Sequence, residues 1–219
     1  MSSRFNNYPN KPKDERLLDA YNILCYTHET CSSFLDIFDE TKNSDILNEQ
    51  EQDLLRATLT FASAGLDSLV KQLIKDTLHE IICKYSGSEI MFKRHVERVI
   101  TKGEEIDSKM LTSALISEEP KRFFITKVIW ELTSNSLQSK DELLKVASYF
   151  DIPSANLVND FQLLKEIFDI RNQIVHEMDI DLSNPKHRRQ REEVKMVMYT
   201  SELFKISESF LNEVSNRLN

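Results

Sequence analysis

Glycine and proline are scarce in this chain, which contains 3 glycines and 5 prolines among 219 residues. These residues are the main breakers of helices, so their scarcity and a hydrophobic content of 40% indicate a mostly helical, ordered protein. At this length the chain can bury a sizeable core in one domain. We therefore predict an all-α fold, with a single helical domain over residues 13–219 behind a flexible N-terminal arm of residues 1–12.

Cysteines and long apolar runs are also few. Cys25, Cys31 and Cys83 are odd in number and form no C-x-x-C pair, which favours free thiols in a reducing compartment over disulfides or zinc ligands. The chain shows no signal peptide and no apolar run of about 18 residues, the length that a membrane helix needs. We therefore expect a soluble, cytoplasmic protein with no membrane contact.

Basic residues are outnumbered, because Lys and Arg total 28, Asp and Glu total 36, and the net charge is −8. Such a chain has no general attraction for nucleic acid, so contact with RNA would require a local basic patch. The sequence also lacks a glycine-rich phosphate loop, an H-E-x-x-H motif and a G-x-S-x-G elbow. These absences set aside nucleotide, zinc and serine hydrolases, and we expect no cofactor and no metal.

Apolar residues at helical spacing predict long helices at residues 14–38, 47–85 and 192–218. In the second of these, five leucines and Ala62 at alternating steps of four and three form a packing seam suited to a bundle or a dimer. Gly65 follows small residues in the same helix, which would let another backbone approach closely. Residues 86–88 are predicted to stop the helix.

Residues 88–138 are predicted to form three helices inserted between the halves of the core bundle, with Trp130 in the core. A basic rim, which is more often a solvated face than a phosphate track, comprises Lys93, Arg94, His95, Arg98, Lys121 and Arg122. Ser139 then begins a short helix as its N-cap, with Glu142 placed to complete a capping box.

Residues 164–181 join an apolar helical pattern to one Arg, one Asn and one His, on a helix that can begin at Asn156. At about 100° per residue, one broad apolar face carries Phe161, Leu164, Ile167, Phe168, Ile174, Val175 and Met178. Arg171 falls near the middle of this face and must meet a partner, a cleft or a subunit interface, because an unpaired buried guanidinium costs several kcal/mol. Asn172 and His176 lie at its border. On a straight helix Arg171 and His176 diverge by roughly 140°, so they converge only through a helix distortion or across a two-fold axis.

Each of these residues also has an ordinary structural interpretation. An arginine near the end of an apolar helix often extends to solvent or pairs with a carboxylate, and Asp169, Glu177 and Asp179 are near in sequence. A lone histidine beside a valine usually has a structural role. The combination of the two residues is more informative than either residue alone.

The run Arg171-Asn172-Gln173-Ile174-Val175-His176 resembles the R-x4-6-H signature of the HEPN superfamily, small all-helical domains of which many are metal-independent ribonucleases. His176 is the only one of the 5 histidines with an arginine at that spacing. The approach to the motif, residues 143–176, looks like that of RiboL-PSP-type HEPN domains. The resemblance is clearest over residues 53–78 and 140–181. It implies a HEPN-like antiparallel helical bundle with a helical insertion.

The chemistry that such a site needs is simple, because RNA carries its own nucleophile in the 2′-hydroxyl. His176 would act as general base or acid, Arg171 would bind the scissile phosphate and hold the charge that develops there, and Asn172 would orient His176 or the substrate. The expected products are a 2′,3′-cyclic phosphate and a 5′-hydroxyl. HEPN nucleases form their site at a dimer cleft, so the resemblance implies a homodimer that supplies both an acid and a base.

Further residues are expected to support the site. A basic cluster after the motif, which is expected to hold flanking phosphates weakly, comprises Lys186, Arg188, Arg189 and Arg191. Asp67 is a candidate partner for Arg171 or for a hydrogen bond in the site, although an exposed helical carboxylate is the simpler interpretation.

Two features depart from the family pattern. Glu177 follows the histidine where many HEPN proteins have a small residue, and with Asp179 and Asp181 it is expected to make the local field negative. Met178 stands where toxin-type members silenced by nucleotide modification have a tyrosine, so that form of control is not predicted.

The resemblance suggests a role in prokaryotic antiphage defence or a toxin-like system. The alternative is a non-catalytic HEPN-like helical module that binds a protein partner or RNA, and a helical protein unrelated to HEPN is a third possibility. A regulatory protein partner is a further expectation for such a system.

Overall fold

The computed structural model describes Phe5 and residues 10–44, 46–102, 108–183 and 187–219, except for the side chains of residues 102 and 108–111. Over these ranges the secondary structure is helical apart from one isolated bridge between Ile180 and Arg188, so the predicted all-α class is confirmed. No helix in these ranges combines the length and the apolar character that crossing a membrane would require.

Nine α-helices follow a single 3-10 turn at Glu15–Leu17 in the described part of the chain. They are α1 (Leu18–Thr41), α2 (Glu49–Lys84), α3 (Ser86–Lys102), α4 (Ser108–Leu115), α5 (Pro120–Ser134), α6 (Lys140–Tyr149), α7 (Ser154–Leu157), α8 (Phe161–Glu177) and α9 (Glu193–Leu218). The three long helices predicted from the sequence are confirmed as α1, α2 and α9. The predicted arm lies mostly outside the described residues, but Phe5 is buried against the rings of His28 and Phe204.

Helix α2 is the centre of the fold and packs against α1, α3, α5, α8 and α9. Its predicted seam is buried throughout and consists of Leu55, Leu59, Ala62, Leu66, Leu69 and Leu73. The helix begins at a capping box in which the Asn48 side chain accepts the N–H groups of Gln50 and Glu51, while the Glu51 carboxylate accepts the N–H of Asn48. Truncating one seam leucine to alanine would cost about 2–5 kcal/mol.

Gly65 of α2 lies directly against the side chain of Thr27 in α1. A Cβ built on Gly65 would lie 2.3 Å from Cγ2 of Thr27 in α1, a separation that packed atoms do not tolerate. Glycine is therefore required here by packing, as the run of small residues predicted.

The predicted stop at residues 86–88 is wrong. Helix α3 begins at Ser86, and the break is confined to Tyr85, whose backbone is extended at φ −111° and ψ 128°. The Tyr85 hydroxyl donates to the carbonyl of Arg217 at 2.9 Å. Tyr85 thus contacts α9 at the point where the chain changes direction. This single residue is enough to separate α2 from α3.

The start of the motif helix also differs from the prediction. Asn156 lies in the one-turn helix α7, and α8 begins five residues later because the Asp160 carboxylate accepts the N–H groups of Gln162 and Leu163, both at 2.9 Å. The predicted cap of α6 is confirmed, since the Ser139 hydroxyl accepts the N–H of Glu142 at 3.2 Å.

Helices α3, α4 and α5 occupy most of the segment predicted to be an insertion. Helix α5 packs against α2 and buries Ile125, Val128 and Leu132. The prediction that Trp130 belongs to the core is wrong, because its side of α5 faces away from those three residues and leaves it 59% exposed.

Candidate functional site

Helix α8 carries the three candidate catalytic residues. It packs against α2 and α6 through Leu164, Ile167 and Phe168, which are buried. The apolar face continues past this core toward the C-terminal end of the helix, where Val175 is 37% exposed and Met178 is 63% exposed. The predicted face is therefore buried in its middle, while Phe161 at its start is 38% exposed and Val175 and Met178 at its end are open.

Arg171 lies where this face leaves the core and is half-buried. Its Nη1 donates to Oδ1 of the adjacent Asn172 at 3.0 Å. Its Nε is buried and has no hydrogen-bond partner among the described residues. Burial lowers the pKa of the guanidinium, and the negative charge of Asp67 opposes that effect. Arg171 is thus a partly desolvated cation with N–H donors left over, since a guanidinium carries five.

Asp67 of α2 is bound elsewhere. Its carboxylate accepts the N–H of Leu137 at 2.7 Å and pairs with Lys71 at 2.8 Å. It supplies favourable charge to Arg171 but no hydrogen bond in the described structure. The interpretation of Asp67 as an exposed carboxylate is wrong, because only 14% of its side chain is exposed.

His176 is the penultimate residue of α8 and is exposed. It has no hydrogen bond or ion pair with any described residue, and Asn172 binds Arg171 rather than this imidazole. Because α8 is unbroken from Phe161 to Glu177, the roughly 140° between Arg171 and His176 is retained. The helix distortion that would bring these two side chains together within one chain is therefore absent from α8.

The chain after α8 is held by a buried group of charges, here called the Asp179 cluster, made of Arg56, Asp179 and Arg191. The Asp179 side chain is fully buried and accepts hydrogen bonds from Nε of Arg56 at 2.8 Å and Nε of Arg191 at 3.1 Å. Arg191 also donates to Oε1 of Gln173 in α8 at 2.9 Å. Two arginines from distant elements thus fix the exit of the motif helix.

Arg56 is a buried, ion-paired residue that the sequence analysis missed. Arg56 lies beside the apolar seam of α2, as Arg171 lies on the apolar face of α8. The argument applied to Arg171, that a guanidinium on a buried face needs a partner, could therefore have predicted an ion pair for Arg56. Besides Asp179, Arg56 binds Asp53 at 2.9 Å and the carbonyl of Arg189 at 2.9 Å.

The basic cluster after the motif is engaged within its own chain. Arg188 pairs with Asp53 at 2.7 Å, Arg189 pairs with Glu177 at 3.1 Å, and Arg191 belongs to the Asp179 cluster. Lys186 lies outside the described residues. The pairs also neutralise Glu177 and Asp179, two of the acidic residues expected to make the field around His176 negative.

A second polar cluster, also missed in the sequence, joins α3, α5 and α6. His95 was assigned to the basic rim but is only 7% exposed. Its Nδ1 lies 3.1 Å from the Tyr149 hydroxyl and 3.1 Å from Nη2 of Arg98, and its Nε2 lies 3.3 Å from Glu131. Burial lowers the pKa of His95, while the charge of Glu131 opposes this. The imidazole serves as a buried connector between three helices.

Cysteine and metal chemistry find little support in the described residues. The three cysteines are free, as predicted, and burial raises the pKa of Cys31 to about 12. Among the described residues, no group of three or more His, Cys, Asp and Glu side chains is arranged to hold a metal ion.

Comparison with protein-family models, curated proteins and solved structures found no match for this chain.

Proposed function

We propose that this protein is a metal-independent endoribonuclease of HEPN type, whose site is completed by a second copy of the chain. The observation that carries the proposal is the state of Arg171, a half-buried cation with a buried, unused Nε–H at the open end of α8. Leaving such a donor without a partner costs free energy. A scissile phosphate would satisfy it with two parallel N–H donors once the side chain turns toward solvent, because Nε is buried in the single chain.

The exposed end of α8 supports a partner of the same kind. His176 is exposed, and apolar surface remains beside it at Val175 and Met178. An isologous dimer places the same surface on both subunits, so it would cover these side chains and bring two copies of the motif together. One Arg171 and His176 set offers one proton-transfer group, whereas two sets offer an acid and a base.

In this mechanism one His176 removes the proton of the 2′-hydroxyl, and the 2′-oxygen attacks the adjacent phosphorus. The bond from phosphorus to the 5′-oxygen breaks, and the partner's His176 protonates that leaving oxygen. Arg171 holds the negative charge on the non-bridging oxygens as it increases in the transition state. Asn172 orients the guanidinium, to which it is already bonded at 3.0 Å. The products are a 2′,3′-cyclic phosphate and a 5′-hydroxyl.

Cleavage of mixed single-stranded RNA and transfer RNA by the purified protein tests this proposal. Arg171→Ala and His176→Ala are expected to lower the rate by about 100-fold or more, given the usual contributions of proton transfer and charge stabilisation. Matched controls are Arg94→Ala and His79→Ala, which remove exposed side chains of α3 and α2 and should leave the rate unchanged. EDTA should have no effect, and end analysis should find cyclic phosphate.

Sedimentation at micromolar concentration tests the composite site separately. A strict monomer that still cuts RNA would refute the two-copy arrangement but leave the chemistry of Arg171 and His176 intact. Equal cleavage by wild type and both motif variants would refute the proposal as a whole.

A second candidate is a non-catalytic helical module that binds a protein partner or RNA. It is favoured by the pairing of Arg188, Arg189 and Arg191 with carboxylates of the same chain, which leaves less free cationic surface for RNA near the motif. An intact RNA pool after incubation with a well-folded dimer would favour this module. A role in antiphage defence or a toxin-like system rests on the resemblance alone.

A further inference from the structure

A groove along α5 is unrelated to the motif and is lined by unusual surface residues. It has a volume of about 500 Å³ and is bordered by Ser117, Arg122, Phe123, Lys127 and Trp130. This volume falls within the range of small-ligand sites. The apolar part of its wall comes from Phe123 and from Trp130, so the groove offers ring surface rather than a polar cleft.

Trp130 is the only tryptophan of the chain and is 59% exposed. Tryptophan is enriched at binding interfaces, because its large ring contributes most when it is covered. The Nζ atom of Lys127 lies 4.2 Å from the ring centroid, so a cation already sits against this aromatic surface. An occupant would therefore meet a ring and an ammonium group together.

The charge of the groove narrows the class of occupant. Its cations are Arg122 and Lys127, and its carboxylate is Glu119, which pairs with Arg122 at 3.1 Å. The groove is thus locally positive on a chain whose net charge is −8. An aromatic surface next to cations complements a flat, anionic ligand, and a nucleotide combines both properties in one unit.

We propose that the α5 groove binds single-stranded RNA, with one base stacked on Trp130 and its phosphate held by Lys127 and Arg122. An unpaired base can leave its strand to stack on a side chain, whereas a base within a duplex is held between its neighbours. Ser117 and Thr126 also line the groove, where the Ser117 hydroxyl accepts the N–H of Glu119 and the Thr126 hydroxyl donates to the carbonyl of Arg122. This inference rests on the proposed function, because it names the form of RNA that the nuclease takes.

Fluorescence of Trp130 reports directly on this groove, since no other tryptophan contributes. The His176→Ala variant, titrated with a short single-stranded RNA, is expected to show saturable quenching without cleavage of the ligand. A duplex of the same sequence should bind with an affinity at least about tenfold lower in the same quenching assay, and so should free nucleoside monophosphates. Equal affinity for the duplex or for the monophosphates would overturn the proposal, as would the absence of quenching.

Variants locate the contacts, measured by polarisation of labelled RNA. Trp130→Ala is expected to weaken binding by about 5- to 150-fold, the range for loss of one stacked base. Lys127→Gln should lower the slope of log affinity against log salt by about 0.7, the value for one lost phosphate contact on a single strand. Lys205→Gln, which removes an exposed lysine of α9, is the matched control and should bind as wild type does.

The outcomes separate this inference from the proposed function. If Trp130→Ala binds RNA with wild-type affinity and still cleaves it, RNA binding in the α5 groove is refuted, whereas the proposed nuclease activity is not. Binding that depends on Trp130, in a protein that never cuts RNA, would support the groove and refute the nuclease. Because Trp130 is exposed, its removal should not unfold the protein, which circular dichroism checks.

Discussion

Replacing Asp179 with asparagine isolates the charge that holds the end of α8. Asp179 is fully buried, lies at φ 59°, and binds Arg56 and Arg191. Asparagine has nearly the same size and tolerates the left-handed backbone conformation as well as aspartate does. The substitution therefore removes one negative charge without adding backbone strain.

The expected loss of stability follows from the burial of the two arginines. The Arg56 side chain is 3% exposed and that of Arg191 is 12% exposed, so each would lose a carboxylate partner where water cannot replace it. Removing one member of a buried ion pair usually costs about 3–5 kcal/mol. Arg56 keeps its pair with Asp53 at 2.9 Å, so we expect a value near the lower end, about 3 kcal/mol.

Urea unfolding followed by far-ultraviolet circular dichroism measures this change. The midpoint for Asp179→Asn should fall while the slope stays constant, since the surface exposed on unfolding is unchanged. Asp53→Asn is the control within the same network, and because 55% of its side chain is exposed it should cost about 1 kcal/mol or less. A loss below about 1 kcal/mol for Asp179→Asn would refute the view that buried charge holds this segment.

Two further predictions concern other parts of the bundle. Gly65→Ala should destabilise the protein by about 1–3 kcal/mol through overpacking, although alanine has the better helix propensity. In thermal melts, adding Thr27→Ala should restore part of the lost stability. If the stability losses of the two single variants simply add in the double variant, the overpacking explanation is contradicted. Burial lowers the pKa of His95 in the folded protein. As pH falls below about 6.5, the ordinary pKa of histidine, His95 therefore binds a proton in the unfolded chain before it does so in the folded protein. Proton binding then favours the unfolded chain, so the stability that His95 contributes above that pH is lost. The difference in unfolding free energy between wild type and His95→Gln should therefore become smaller as pH is lowered from 7.5 to 5.5, by up to about 1.4 kcal/mol per pH unit. A difference that stays constant would contradict the lowered pKa of His95.

Local patterns along the chain were sufficient for much of the fold. The long helices, the buried seam of α2, the Ser139 cap and the tight contact at Gly65 follow from spacing and from residue chemistry within a few positions. These features depend on interactions within one helix or on which face is apolar. For the same reason the sequence predicted that Arg171 lies near the middle of the apolar face, with Asn172 at the border of that face.

The tertiary structure decided which charged and polar groups meet. Arg56 and Asp179 are 123 residues apart, His95 contacts Tyr149 across 54 residues, and no local spacing encodes either contact. The packing of the helices against one another likewise determines two other features. The arginines after the motif pair with carboxylates, and Trp130 is exposed. Periodicity assigns a side chain to a face, but only packing determines whether that face meets a partner, an opposite charge or water.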